Sequence, residues 1–119
     1  MAIQATIEVS DLDRSIEFYD GLLAPLGWRR GGTGQKMGWG LAKPEFFVVP
    51  NDAARPGTSR ICFAARSVPA VKDSWEAAIR LGGADDGRPG QRPEFGSSYY
   101  CAFVLDPDGH RIEIAVLPD

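Results

Sequence analysis

The chain spells one order of elements twice, and this internal repeat limits its fold more than any other feature. Ile3, Ala5, Ile7 and Val9 alternate with Gln4, Thr6 and Glu8, the period of a strand with two unlike faces. Ser10 and Asp11 offer helix caps. Leu12, Ile16, Tyr19, Leu23 and Leu26 follow at helical spacing, and Pro25 and Gly27 stop the run. Trp28 to Arg30, Lys36 to Ala42 and Glu45 to Val49 read as short strands between turns. A linker over 51–58 (Asn-Asp-Ala-Ala-Arg-Pro-Gly-Thr) follows, and the order then returns. Arg60 to Ala65 is a strand, Ser67 a cap and Pro69 a first-turn residue. Val68, Val71, Trp75, Ala78 and Ile79 form a second apolar stripe, closed by Gly82 and Gly83. Tyr99 to Leu105 and Arg111 to Val116 are strands joined by Asp106-Pro107-Asp108-Gly109, which suits a type I turn ended by a left-handed glycine. Gln4 stands five residues before Val9, and Arg60 stands five before Ala65, so the repeat places these two side chains equivalently.

At 119 residues, with 44% hydrophobic side chains, one domain with a real core is expected over 1–119: module one 1–50, linker 51–58, module two 59–119. The net charge is −3 and the pI about 5.1. Nucleic-acid binding needs a basic stripe, and the pairs Arg29-Arg30 and Arg88…Arg92 read as solvated surface. No apolar run reaches membrane-spanning length, and the first residues lack a basic-then-apolar leader pattern, so a cytoplasmic protein without membrane or nucleic-acid partners is expected. Cys62 and Cys101 lie in apolar strand-like runs and read as reduced core thiols. The single histidine, His110, follows the turn and reads as a turn or strand-start residue.

Certain stretches give the chain a resemblance. They are Val9-Ser10-Asp11-Leu12-Asp13-Arg14-Ser15 running into Phe18-Tyr19, then Leu23-Ala24-Pro25-Leu26-Gly27, then Lys43-Pro44-Glu45-Phe46-Phe47, and above all Tyr99 to Glu113. With these the chain resembles the vicinal oxygen chelate superfamily, which groups glyoxalase I, extradiol dioxygenases, fosfomycin-resistance enzymes and bleomycin-resistance proteins. The resemblance spans the whole chain. It implies an α+β fold of two paired βαβββ modules, a curved mixed sheet around a cavity with helices outside, and a homodimer. Such motifs specify fold better than reaction.

In metal-dependent relatives the ligands come from the first and last strand of each module. Carried over, those positions fall on Gln4, Arg60, Glu113 and Phe46 or Phe47. Only Glu113 is a good ligand. Divalent transition ions want imidazole and carboxylate, and a permanently charged guanidinium repels them. No cofactor is therefore expected, and a divalent metal is disfavoured. Instead, Arg60 is expected to take the metal's place and pair with Glu113. A fixed cation there suits binding of a small organic anion, with Gln4 and Thr6 as neutral hydrogen-bonding groups. Arg60 and Glu113 are also the candidates for any catalysis.

Aromatic side chains are the second feature. Trp39, Phe47, Phe95, Tyr99 and Tyr100 are candidate walls of a ligand pocket, while Trp75 reads as core. Which tyrosine faces the cavity depends on the hairpin register, and the glycine-closed turn favours Tyr99 on the Glu113 side. The Gly-rich stretch 30–35 lacks the ending of a phosphate loop and reads as a hairpin tip. Residues 88–95 read as a loop at the cavity mouth. Two other functions compete with a metal-free binder of a small anionic or aromatic ligand. One is a metal-dependent lyase, isomerase or dioxygenase of the glyoxalase group. The other is a dimerisation domain with a vestigial cavity.

Overall fold

A computed structural model describes residues 5–33, 36–51 and 59–116. Gln4 lies outside the described residues, as does most of the 51–58 linker. Module one runs β1 (Ala5–Val9), α1 (Leu12–Leu23), a 3-10 turn (Ala24–Leu26), β2 (Arg29–Thr33), β3 (Lys36–Gly40) and β4 (Phe46–Pro50). Module two runs β5 (Arg60–Ala65), α2 (Val68–Arg80), β6 (Ala84–Gln91), a 3-10 turn (Pro93–Phe95), β7 (Tyr100–Leu105) and β8 (Arg111–Val116). The strands form two four-stranded mixed sheets, ordered β1-β4-β3-β2 and β5-β8-β7-β6. In each, the first strand pairs parallel with the last, and the remaining pairs are antiparallel. The fold is α+β with paired βαβββ modules, its strands divided between two sheets.

The helices begin where the caps stand. The Asp11 carboxylate accepts from the Arg14 amide, and the Ser67 hydroxyl oxygen accepts from the Ala70 amide. Helix α1 gives way to the 3-10 turn at Pro25, and Gly27 ends that turn with φ 82°. The Asp106–Gly109 turn closes through the Gly109 amide on the Asp106 carbonyl, with Gly109 at φ 87°.

Strand β6 was hidden from pattern reading. Ala84–Gln91 carries no apolar alternation, and it contains Pro89 and two glycines. The structure makes it an edge strand on β7 with register shifts at Asp85/Gly87 and Gly87/Gly90. An edge strand tolerates proline and bulges because one side of its backbone needs no ladder partner. So residues 88–91 are sheet where a loop was expected, and Pro93–Phe95 is a 3-10 turn. Likewise β2 extends through the Gly-rich stretch to Thr33, where a hairpin tip was expected.

Strand parity sorts the side chains. Ile7, Val9, Phe46, Val48, Phe63, Ala65, Ala102, Val104, Ile112 and Ile114 pack with both helices into one core. The modules share that core directly. Phe63 of module two stands edge-on to Phe46 and Trp28 of module one, with ring centroids 5.2 and 5.3 Å apart. Buried polar bonds cross the same junction. The Ser74 hydroxyl on α2 donates to the Leu22 carbonyl on α1 at 2.6 Å. The Tyr19 hydroxyl donates to Asp106 at 2.6 Å, and the His110 ring Nε2 lies 2.8 Å from the Glu8 carbonyl. His110 Nδ1 accepts the Ser59 amide, which leaves Nε2 as the donor to Glu8. His110 is thus a buried inter-module clamp as well as the strand-start residue the sequence suggested.

Candidate functional site

With one face of each sheet committed to the core, the alternate residues present an open face. On module two that face carries Arg60 and Cys62 from β5, Arg111 and Glu113 from β8, and Phe103 from β7. These five residues and Ile61 line a recess of about 200 Å³. That is below the usual size of a pocket for a drug-sized ligand, so a ligand held by this face alone is small.

The register fixes who can meet whom. Arg60 lies opposite Arg111, and Glu113 lies opposite Cys62 on one side and Phe103 on the other. The expected Arg60–Glu113 pair is therefore replaced. Glu113 Oε2 accepts the Tyr99 hydroxyl at 2.5 Å, and no ion pair joins Arg60 to any acid among the described residues. The physical reason is position. Arg60 sits two residues before Cys62, the position level with Glu113, and Tyr99 leads into β7 on the far side of β8. The second guanidinium, Arg111, is occupied: its Nε lies 2.8 Å from Asp86, and it covers the Phe103 ring at 4.6 Å.

The Glu113 hydrogen bond, then burial and the Glu113 charge, push the Tyr99 phenol up, so it remains a donor at neutral pH. Burial first, then Glu113, then Cys101 push the Cys62 thiol up to about 11. Burial, followed by Glu113, also raises Cys101. Cys62 is exposed and free, not the core thiol its apolar run suggested; Cys101 is buried and free. An exposed thiol with a raised pKa reacts slowly, because the thiolate is the nucleophile. Alkylation of Cys62 by iodoacetamide is expected to be slow at pH 8 and to climb with a midpoint near 11. Mass-spectrometric labelling across that range checks it, and a midpoint at the ordinary thiol value would refute the environment described.

The other candidate side chains divide. Tyr99 faces Glu113 as the turn predicted, and Phe95 touches its ring edge-on at 5.4 Å while remaining 57% exposed. Tyr100 points the other way and packs against the core. Trp39 is corrected outright: it is 1% exposed, packs on Tyr19 and Phe46, and donates its indole N–H to Asp20 at 2.9 Å. Its register partner is Phe46, on the core side of module one. Thr6 and Phe47 are register partners on the open face of module one, outside the recess. Sequence reading missed Phe103, Arg111 and the facing of Cys62. Arg111 was accessible from strand period alone, two residues before Glu113; Phe103 and Cys62 required the strand pairing.

A divalent metal, which the resemblance implies, does not fit these residues. Of the carried-over positions, Gln4 lies outside the described residues, and the others supply a guanidinium, a phenyl ring and one carboxylate already engaged by a phenol. Among the described residues, no group of three or more His, Cys, Asp or Glu could hold a metal ion.

No protein-family model and no curated protein matches the chain. Solved structures do. A glyoxalase/bleomycin resistance protein from Albidiferax ferrireducens T118 superposes with a TM-score of 0.79 at 28% identity, covering 97% of both chains. A glyoxalase/bleomycin resistance protein/dioxygenase family enzyme from Burkholderia phytofirmans PsJN gives 0.74 at 16% identity, covering 97% of both. The fosfomycin resistance protein FosX from Mesorhizobium loti gives 0.72 at 16% identity, covering 99% of this chain and 92% of that one. Full-length superposition and the repeated βαβββ order agree, and the chain has the fold of the vicinal oxygen chelate superfamily.

Proposed function

We propose that the protein binds a small organic acid, with aromatic or apolar character, on the open face of module two and without a metal. The observation that carries this reading is the Arg60 guanidinium. It lines the recess with no acidic partner among the described residues, and the aromatic ring of Phe103 lines the same recess two strands away. A fixed cation next to an apolar wall is complementary to a carboxylate on a small apolar body. The working form in this reading is a cytoplasmic homodimer, in which a second copy covers the recess that one chain leaves open. No helix among the described residues is long and apolar enough to cross a membrane.

The metal-dependent enzyme reading finds no group of three or more His, Cys, Asp or Glu among the described residues to hold its ion. Metal-free proton transfer has one observation in its favour. Glu113 is a carboxylate lining the recess, and the Tyr99 phenol donates to it, so a proton acceptor and a proton donor stand together there. The open recess speaks against a vestigial, filled cavity. A thermal-shift screen of small aromatic and aliphatic carboxylates, with and without chelator, tests the proposal. Stabilisation by carboxylates but not by matched neutral amides, unchanged by chelator, is expected. Equal response to acids and amides would refute it.

A further inference from the structure

The recess holds charge of both signs, and the fold keeps the two apart. Arg60 enters from β5 and Glu113 from β8, offset by two residues along the strands. Strand spacing and rise put their Cα atoms roughly 8 Å apart. Long side chains could close such a gap, yet the Tyr99 hydroxyl holds the Glu113 carboxylate from the β7 side, away from β5. Asp86, on the opposite edge strand β6, pairs with Arg111 at 2.8 Å, so it answers that guanidinium and not Arg60. Cys62, a neutral thiol at physiological pH, stands level with Glu113 and two residues along β5 from Arg60, while the Phe103 ring flanks Glu113 on the β7 side. A carboxylate can accept several hydrogen bonds, so Glu113 keeps capacity after taking the Tyr99 proton donor.

We infer that the ligand of this face is zwitterionic: an anionic group on Arg60, an ammonium group on Glu113, and a short apolar or aromatic spacer over Cys62, with Phe103 flanking the ammonium end. This rests on the anion-binding reading above and adds a second anchor to it. A ligand with only the anion leaves the Glu113 carboxylate beside it uncompensated, which costs affinity. A ligand with both charges neutralises the two groups that the fold prevents from neutralising each other.

The test uses the whole protein and three matched probes: 4-(aminomethyl)benzoate, 4-methylbenzoate and benzylamine. A flexible set (5-aminopentanoate, pentanoate and pentylamine) removes dependence on one rigid spacer. Calorimetric titration is expected to show the zwitterion of at least one set binding tenfold or more tighter than its carboxylate and its amine. In Glu113→Gln, whose amide oxygen still accepts from Tyr99, that advantage should vanish while carboxylate affinity holds or rises. Carboxylates binding as tightly as zwitterions in both sets would overturn the inference and leave the anion-binding reading standing. Amines binding where carboxylates do not, or no binding in either set, would overturn both.

Discussion

Asp106→Ala is expected to lower the unfolding free energy by about 2–5 kcal/mol, measured by urea denaturation with unchanged slope. The Asp106 carboxylate is 4% exposed and accepts three donors: the Tyr19 hydroxyl at 2.6 Å, the His110 amide at 2.8 Å and the Asp108 amide at 2.9 Å. Alanine leaves the first two buried and unpaired, at about 1–3 kcal/mol each. It also loosens the turn that carries His110 against Glu8 and Asp108 against the Ser10 amide, both contacts with module one. Burial pushes the Asp106 carboxyl up, and the hydrogen bonds from Tyr19 and the two amides pull the other way. Asp106→Asn keeps an acceptor and should cost less than half as much. Equal losses for the two variants would mean that the charge, and not the acceptor, holds the turn.

Arg60→Gln is expected to weaken binding of small carboxylates by about tenfold to a hundredfold, the scale of a lost charge-assisted hydrogen bond in a partly wet site. Folding stability should barely change, because Arg60 is exposed and makes no ion pair among the described residues. Arg111→Gln is the informative companion. It removes a guanidinium already engaged by Asp86 and stacked on Phe103, so it should cost stability as well as any effect on binding. If Arg60→Gln binds carboxylates as well as wild type, while Arg111→Gln does not, the anion sits on the other strand and the site must be redrawn.

These contrasts mark where sequence reasoning ran out. The repeat, the caps at Asp11 and Ser67 and the Asp106–Gly109 turn were legible, because each is a local demand of backbone geometry on nearby residues. Tyr99 was legible for the same reason, since a hairpin of known turn type fixes parity across its strands. The ion pair of Arg60 with Glu113 failed because β5 and β8 are joined by no tight turn, and their parallel register cannot be read from either strand. Trp39 failed similarly: its side of β3 is set by packing on Tyr19 and Phe46, contacts made across the module. Strand β6 failed because its stability comes from pairing with β7, not from its own side chains.

The central claim is that Arg60 and Glu113 form a recognition site for an organic ion where relatives in the superfamily place a metal. The most direct measurement is the metal content of tag-free protein dialysed against nickel, manganese, iron and zinc, then freed of loosely held ions. Substoichiometric metal, with a melting temperature indifferent to chelator, is the predicted result. Near-stoichiometric metal that disappears in Glu113→Gln would contradict it and return the protein to the metal-dependent enzymes.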